Sequence, residues 1–449
     1  MKHGYHLFFF LMMVALIAMS SCDESFVDSI GSEPFVDNNT SVQTKSIKSE
    51  QERISLSEVY DYLTYRMKLS AGDIKDTYSY SLGEGEVIHI VNMKDGHWYV
   101  FSGRTTTAPI LAEGDEDGLY LDEALTDQCA LWLESIKNHI VKSRSASSEE
   151  AYLNRTIWLH TKRASLAAKK GSYRDMDDDT TDRVYDYIID TLSNTNISLT
   201  ETSWDQVQPC NNAVPMIRNS GARCVAGCSV IAMAQLMYYT HYAFGFPNTI
   251  YSNAACSSYS DEWPNYNFSL SNATTTSWDL MPQELSGATI NNQYLAALCS
   301  EIAYVSCTKY GLTNPYATTT GQTYGSTGLG MIKVTLLFFG YDGVDYDDYD
   351  ESTIINEINN GRPVICAGLA SLSDSYGHTY IYDGYKYINV KETEIISDPS
   401  GHILEINYTY YQTFQWSVNT GGDEYLGHHA LVDPNTYYAA YRQIFFGWE

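Results

Sequence analysis

The residue best placed to do chemistry is Cys228. It follows Gly227 and heads the run Ser229-Val230-Ile231-Ala232-Met233-Ala234-Gln235-Leu236-Met237-Tyr238-Tyr239. That run is apolar on every side, so it predicts a buried helix. A helix N-terminus has unpaired N–H groups and a partial positive charge, and both favour a thiolate over a thiol. A thiolate nucleophile needs a base that also returns a proton, and imidazole suits that task near neutral pH. The C-terminal half offers His378, His402, His428 and His429. His378 opens an apolar stretch, His378-Thr379-Tyr380-Ile381-Tyr382-Asp383-Gly384-Tyr385, which predicts a strand able to hold the ring against a helix end. On these residues alone Cys228 also reads as a small buried hydrophobe or half of a disulfide, and His378 as an ordinary strand histidine.

The elements that must carry them divide along the chain. Residues 23–50 are polar and acidic, with the composition of a tether. From Ile54 the pattern is structured. Ser57 begins an amphipathic helix. Val87–Asn92 and His97–Ser102 flank Lys94-Asp95-Gly96 as a hairpin, Ala108–Ala112 is a short strand, and Leu119–His139 is helical. Residues 51–143 thus form a small α+β unit. A charged connector follows to residue 200, with a basic patch (Lys162, Arg163, Lys169, Lys170, Arg174) and an acidic run from Asp175 to Asp182; it reads as a solvated linker helix, a protease-sensitive segment, or both. The remainder places helices first, at Cys228, Leu295–Tyr304 and Met331–Phe339, and a long loop region at Tyr251–Ser277. Strands come second, at Val364–Gly368, His378–Tyr382, Tyr385–Val390, Leu404–Tyr408 and Phe445-Phe446, an α+β order.

Composition narrows the partners. With 55 Asp and Glu against 27 Lys and Arg, the net charge of −28 disfavours nucleic acid and anionic lipid surfaces. At the N-terminus, Lys2 precedes an apolar run from Leu7 to Met19 that is too short to span a bilayer. It ends in Ala18-Met19-Ser20-Ser21-Cys22, which resembles a lipobox: residues 1–21 would be a lipoprotein signal peptide and Cys22 the lipidated residue, with a plain signal peptide as the other reading. Asp23-Glu24 resembles a surface-export signal, so the expected location is the cell surface or outer membrane, with release outside the cell also open. Of nine cysteines, Cys22 and Cys228 would be unavailable for pairing, which leaves an odd number. Cys224 and Cys228 lack two further ligands at zinc-site spacing, so no metal is expected.

Four local patterns together resemble the streptopain family of papain-like cysteine peptidases. They are Ala226-Gly227-Cys228 with Ala232-Met233-Ala234-Gln235-Leu236-Met237-Tyr238-Tyr239; Gly377-His378 with Asp383-Gly384; Trp204-Asp205-Gln206 with Pro209-Cys210-Asn211; and Ser277-Trp278-Asp279-Leu280-Met281-Pro282. The resemblance extends to residues 51–143, especially His97–Glu113, which are similar to the family's inhibitory prodomain. It implies a papain-like α+β fold, a helical half plus an antiparallel sheet half, preceded by the small α+β prodomain. The implied division is signal peptide 1–21, tether 22–50, prodomain 51–143, activation linker 144–200 and peptidase domain 201–449.

The same resemblance implies Cys228 as nucleophile, His378 as its partner and Gln206 as a donor to the oxyanion, in a zymogen that hydrolyses protein or peptide substrates with no cofactor and is inhibited by its own prodomain. The chain departs from the family where an asparagine should orient the imidazole and a tryptophan should shield it. Here the segment reads Phe414-Gln415-Trp416-Ser417-Val418-Asn419-Thr420-Gly421-Gly422. Asn419 is the candidate orienting residue and Trp416 the candidate shield; without a gap, Ser417 falls at the asparagine position. The departure also admits a weakened or inactive papain-fold binding lipoprotein. A glycan-binding or adhesive lipoprotein would leave Gln206, Cys228 and His378 as coincidence.

Overall fold

A computed structural model describes residues 52–448 except 116–117, 122–126, 171–182, 216–222, 247–274, 286–291, 313–322, 373–376 and 424–425. The expected signal peptide, tether and lipidation site, the Asp175–Asp182 run and most of the Tyr251–Ser277 region lie outside the described residues. The first helix, α1 (Leu56–Tyr65), starts one residue before the expected Ser57, with Ser55 as its N-cap. The reason is a capping box: the Ser55 hydroxyl accepts from the Glu58 N–H, and the Glu58 carboxylate accepts from the Ser55 N–H. Strands β1 (Ile74–Gly83), β2 (Glu86–Met93), β3 (Trp98–Ser102) and β4 (Ile110–Gly114) form an antiparallel meander, with the hairpin at the expected place. Helices α2 (Asp127–Ser143) and α3 (Glu149–Lys170) follow. Much of the expected connector is therefore ordered: α3 is a 22-residue helix, and β5 (Val184–Ser198) is a strand.

The helical half comprises α4 (Cys228–Phe244), α5 (Gln293–Val305) and α6 (Leu329–Phe338), with a small hairpin of β6 (Lys309–Leu312) and β7 (Thr323–Ser326). After β8 (Asp345–Asp348) and α7 (Glu351–Asn359), the chain enters β9 (Val364–Leu369), β10 (His378–Ser397), β11 (Ile403–Asp423), β12 (Gly427–Val432) and β13 (Tyr441–Phe446). These strands join the meander in a single sheet ordered β1-β2-β3-β4-β12-β11-β10-β9-β13-β8, with β5 against β10.

The two strands expected at 378–382 and 385–390 are one strand of 20 residues. It changes neighbour along its length, pairing β9 through Tyr382 and β5 from Gly384 onward. The switch needs glycine, because a Cβ on Gly384 would lie 1.7 Å from the Ile197 carbonyl oxygen. Beyond it, β5, β10 and β11 form a three-stranded arm.

The sheet separates two cores. On one face α4, α5 and α6 bury Val230, Ile231, Leu236, Leu298 and Ile302 against Ile365, Ile381 and Phe445. On the other, Trp98 and Trp132 from the N-terminal meander and α2 pack with Tyr380, Tyr382, Trp416 and Val418. Ile381 lies in the first core and its neighbours Tyr380 and Tyr382 in the second, as strand alternation requires. No helix among the described residues is long and apolar enough to cross a membrane.

Candidate active site

Helix α4 begins at Cys228, as the sequence predicts. Gly227 adopts φ +102°, and a Cβ there would lie 3.0 Å from the Gly325 carbonyl oxygen of β7, so both conformation and space call for glycine. The Tyr310 hydroxyl donates to the Ala226 carbonyl at 3.0 Å and fixes the same entry from β6. Ten of the next eleven residues are buried, which explains why the run carries no polar stripe.

Opposite this helix start, His378 is the first residue of β10 and is buried. Its Nε2 lies 2.8 Å from the Thr420 carbonyl oxygen. A carbonyl only accepts, so Nε2 carries the proton and Nδ1 is the ring nitrogen left for the Cys228 sulfur. Burial opposes ionisation of the Cys228 thiol. The hydrogen bond and positive charge of His378 outweigh it, with help from Thr379, and bring the thiol down to about 7. Cys228 itself is half-buried.

The segment bearing Gln206 is tied to the same helix. The Gln235 side-chain oxygen accepts from the Thr202 hydroxyl at 3.1 Å and from the Trp204 N–H at 3.4 Å, and the Gln206 carbonyl accepts from the Ala226 N–H at 2.7 Å. Trp204 Nε1 donates to the Pro282 carbonyl at 2.7 Å, so the opening segment and the Ser277–Pro282 segment are joined through one indole. Gln206 is buried two residues of hydrogen-bonded backbone from the nucleophile position.

Asn419 and Trp416 are placed differently from expectation. Asn419 pairs with Ile381, three residues along β10 from His378, and its side chain is committed to other partners. The Asn419 amide donates to the Thr202 carbonyl at 2.8 Å and the Thr200 hydroxyl at 3.1 Å, and lies 3.4 Å from His429 Nε2; its oxygen accepts from the Gly421 N–H. The acceptor on His378 is instead the backbone of the next residue, Thr420. Trp416 belongs to the second core: its ring sits 4.9 Å from Tyr382 and its Nε1 donates to the Tyr349 hydroxyl. The rings packed on His378 are Tyr438 at 5.1 Å, Tyr380 at 5.9 Å and Tyr437 at 6.2 Å. In a chain with 38 tyrosines, nothing in sequence singles out Tyr437-Tyr438.

Ser417 does not take the asparagine's place either; its hydroxyl donates to the buried Asp383 carboxylate at 2.7 Å. Asp383 also accepts from the Thr200 hydroxyl at 2.7 Å and faces His429 Nδ1 at 3.6 Å. Burial pushes the Asp383 carboxyl up, but His429, Thr200 and Ser417 outweigh it and hold it below the usual range. His428 and His429 therefore sit on β12, and the His402 N–H bonds Asp398 at the far turn of the arm. Among the described residues no disulfide joins any two of the seven cysteines. Among the described residues no cluster of three or more His, Cys, Asp or Glu is placed to hold a metal.

A helix-borne thiol with an imidazole on the facing strand, in an α+β frame, defines a cysteine-type peptidase. Residues 204–398, which hold Gln206, Cys228 and His378, match the model of the Peptidase C10 family. Among solved structures, the chain is similar to a fragment of prointerpain A from Prevotella intermedia, at 16% identity with a TM-score of 0.48, covering 83% of this chain and 98% of that one. It is also similar to active wild-type interpain A cysteine protease from Prevotella intermedia, at 20% identity and a TM-score of 0.37, covering 56% of this chain and 94% of that one. No curated protein matches the chain.

Proposed function

We propose that the chain is an exported cysteine endopeptidase made as a zymogen, with residues 51–143 as its own inhibitor and Cys22 as the site of a lipid anchor at the cell surface or outer membrane. The observation that carries the enzymatic reading is the commitment of His378 Nε2 to Thr420, which leaves Nδ1 for a Cys228 thiol already brought to about 7. In the proposed reaction the Cys228 thiolate attacks a peptide carbonyl carbon. Gln206 and the Cys228 N–H donate to the oxyanion. His378 gives its Nδ1 proton to the leaving amine as the C–N bond breaks, then takes a proton from the water that hydrolyses the thioester. Protein or peptide substrates suffice, and no step calls for a cofactor.

Latency is supported by the seam between the two parts of the chain. Strand β4 pairs with β12 from Ala112 to Gly114, and the Leu111 carbonyl accepts from the Asp433 N–H and the Thr436 hydroxyl. Those bonds hold the same loop that presents Tyr437 and Tyr438 to His378. Residues 171–182 are the proposed cleavage segment within the 144–200 linker, because β5 beyond them is part of the peptidase sheet.

The test places a specific protease site within 171–182 of the full chain and follows peptide hydrolysis before cutting, after cutting and after removal of the N-terminal part. Activity should rise on release and vanish in Cys228→Ser. Equal activity throughout would remove latency from the proposal. A second reading, a papain-fold surface protein without turnover, draws on the absence of any side-chain orienting group from Asn419 or Ser417. It gains the field if released protein hydrolyses nothing and Cys228 alkylates like an ordinary thiol at mildly acidic pH.

A further inference from the structure

The residue after the thiol and the residue after the imidazole are bonded to each other. Ser229 follows Cys228 on α4, Thr379 follows His378 on β10, and their hydroxyl oxygens are 2.8 Å apart. Both side chains are at most 5% exposed, so water does not compete for either hydroxyl. Thr379 also reaches the Cys228 sulfur, through its hydroxyl and its backbone N–H. The result is a line of three groups, Ser229 to Thr379 to Cys228, that crosses from helix to strand and returns to the sulfur.

The direction of that line depends on the sulfur. A thiolate has no proton and can only accept, so the Thr379 hydroxyl must donate to it. The Thr379 oxygen is then free to accept, and the Ser229 hydroxyl supplies the proton. With the sulfur ionised every donor and acceptor in the line is used in one sense. With a neutral thiol the hydroxyls lose that fixed direction, so the line favours the ionised form. The elements packed against α4 include β7, β9, β10, β11, α5 and α6, with titratable groups such as Asp383, Lys386 and Glu392 on β10, Glu405 on β11, Cys366 on β9, Cys299 and Glu301 on α5, Lys333 on α6 and His241 on α4 itself; His378 on β10 is the one that acts on the sulfur.

We propose that Thr379 is a further catalytic residue, donating its hydroxyl proton to the Cys228 thiolate, and that Ser229 is a positioning residue that orients the Thr379 hydroxyl for this. The inference rests on Cys228 acting as the nucleophile, and its test separates the two ideas. It uses the full chain and reads the ultraviolet absorbance of the thiolate against pH, as the difference between each chain and the same chain carrying Cys228→Ser. That readout does not depend on access of a reagent to the cleft.

Thr379→Val, close to isosteric, should raise the titration midpoint by about one to two pH units, the usual worth of a hydrogen bond to a charged group. Thr379→Ser should restore it, and Ser229→Ala should give a smaller rise. A Thr379→Val midpoint equal to wild type overturns the inference while leaving the nucleophile reading intact. A wild-type midpoint in the ordinary thiol range overturns both. If Thr379→Val loses its fold by circular dichroism, Ser229→Ala decides: a raised midpoint supports the line, an unmoved one rejects it.

Discussion

His378 Nε2 and the Thr420 carbonyl oxygen are 2.8 Å apart, so the imidazole is oriented by main chain and not by a side chain. Mutation cannot delete this acceptor. Asn419, the neighbour with the expected chemistry, is spent on Thr200 and Thr202. Asn419→Ala should therefore lower stability by about 1–3 kcal/mol, the cost of stranding buried partners, and leave the Cys228 titration midpoint in place. Thermal melts and the thiolate titration check the two halves separately. A shifted midpoint with unchanged stability would return Asn419 to the orienting role.

Gln206 is predicted to act on turnover and not on the thiol. Gln206→Ala in released protein should cut kcat by about 100-fold or more, as loss of an oxyanion donor does elsewhere. The rate of Cys228 alkylation should be unchanged, because Gln206 is not among the groups that lower its pKa. Parallel assays of hydrolysis and alkylation separate these effects. A comparable fall in both would point to disruption of the backbone bond from the Ala226 N–H to the Gln206 carbonyl instead.

Glu392 on the β-arm should govern how firmly the N-terminal part is held. Its carboxylate bonds Arg66, just past the end of α1, at 2.9 Å and His160 of α3 at 2.7 Å, and Arg66 also reaches the Tyr411 hydroxyl and the Thr161 hydroxyl. Burial pushes the Glu392 carboxyl up, but His160 and Arg66 outweigh it and hold it below the ordinary carboxylate range. A depressed folded pKa contributes stability that is present above the unfolded value and lost as pH falls through the folded one. The seam should therefore loosen on acidification below the ordinary carboxylate range. Glu392→Gln should weaken it by about 3–5 kcal/mol at neutral pH, since Arg66 would stay buried without its countercharge, and should flatten the acid dependence. Co-elution of the two parts after cutting, followed against pH, measures this.

Glu301 works in the opposite sense. It is buried on α5, neither carboxylate oxygen has a hydrogen-bond partner among the described residues, and burial raises its pKa to about 8. The folded state thus binds the proton more tightly than the unfolded state, and stability falls as pH rises from the ordinary carboxylate range to about 8. Glu301→Gln should melt like wild type near about pH 5 and higher than wild type near about pH 8. A Tm difference that does not widen with pH would show that the carboxyl has found a partner.

What could be read from the sequence, and what could not, follows from where each signal resides. The Cys228 helix was legible because its apolarity extends all round and a glycine precedes it. The β2–β3 hairpin was legible from its Lys94-Asp95-Gly96 turn. Strand β5 was not: most of its residues after Tyr185 are exposed, so no buried face imposes an alternation. Asp383-Gly384 reads as a turn that splits two strands, whereas Gly384 is where β5 approaches too closely for any side chain. The orienting acceptor was illegible for a simpler reason, since a backbone carbonyl has no residue type. Two of the three tyrosines on His378, Tyr437 and Tyr438, come from a corner where Tyr438 takes φ +47°, a conformation that sequence does not announce.

Strand β10 begins at His378 and carries Glu392 fourteen residues further along without a break. If the chain is cut between 171 and 182, α3 stays on one fragment and β5 on the other, yet nothing in the β4–β12 pairing or the Glu392 ion pairs is severed. Scission and liberation become two events with separate clocks. The first is covalent and irreversible; the second is an ordinary dissociation, sensitive to dilution and acid and open to reversal. If the N-terminal part inhibits as proposed, nicked protein at high concentration would remain a silent reservoir, and free N-terminal fragment added back would quench enzyme already released.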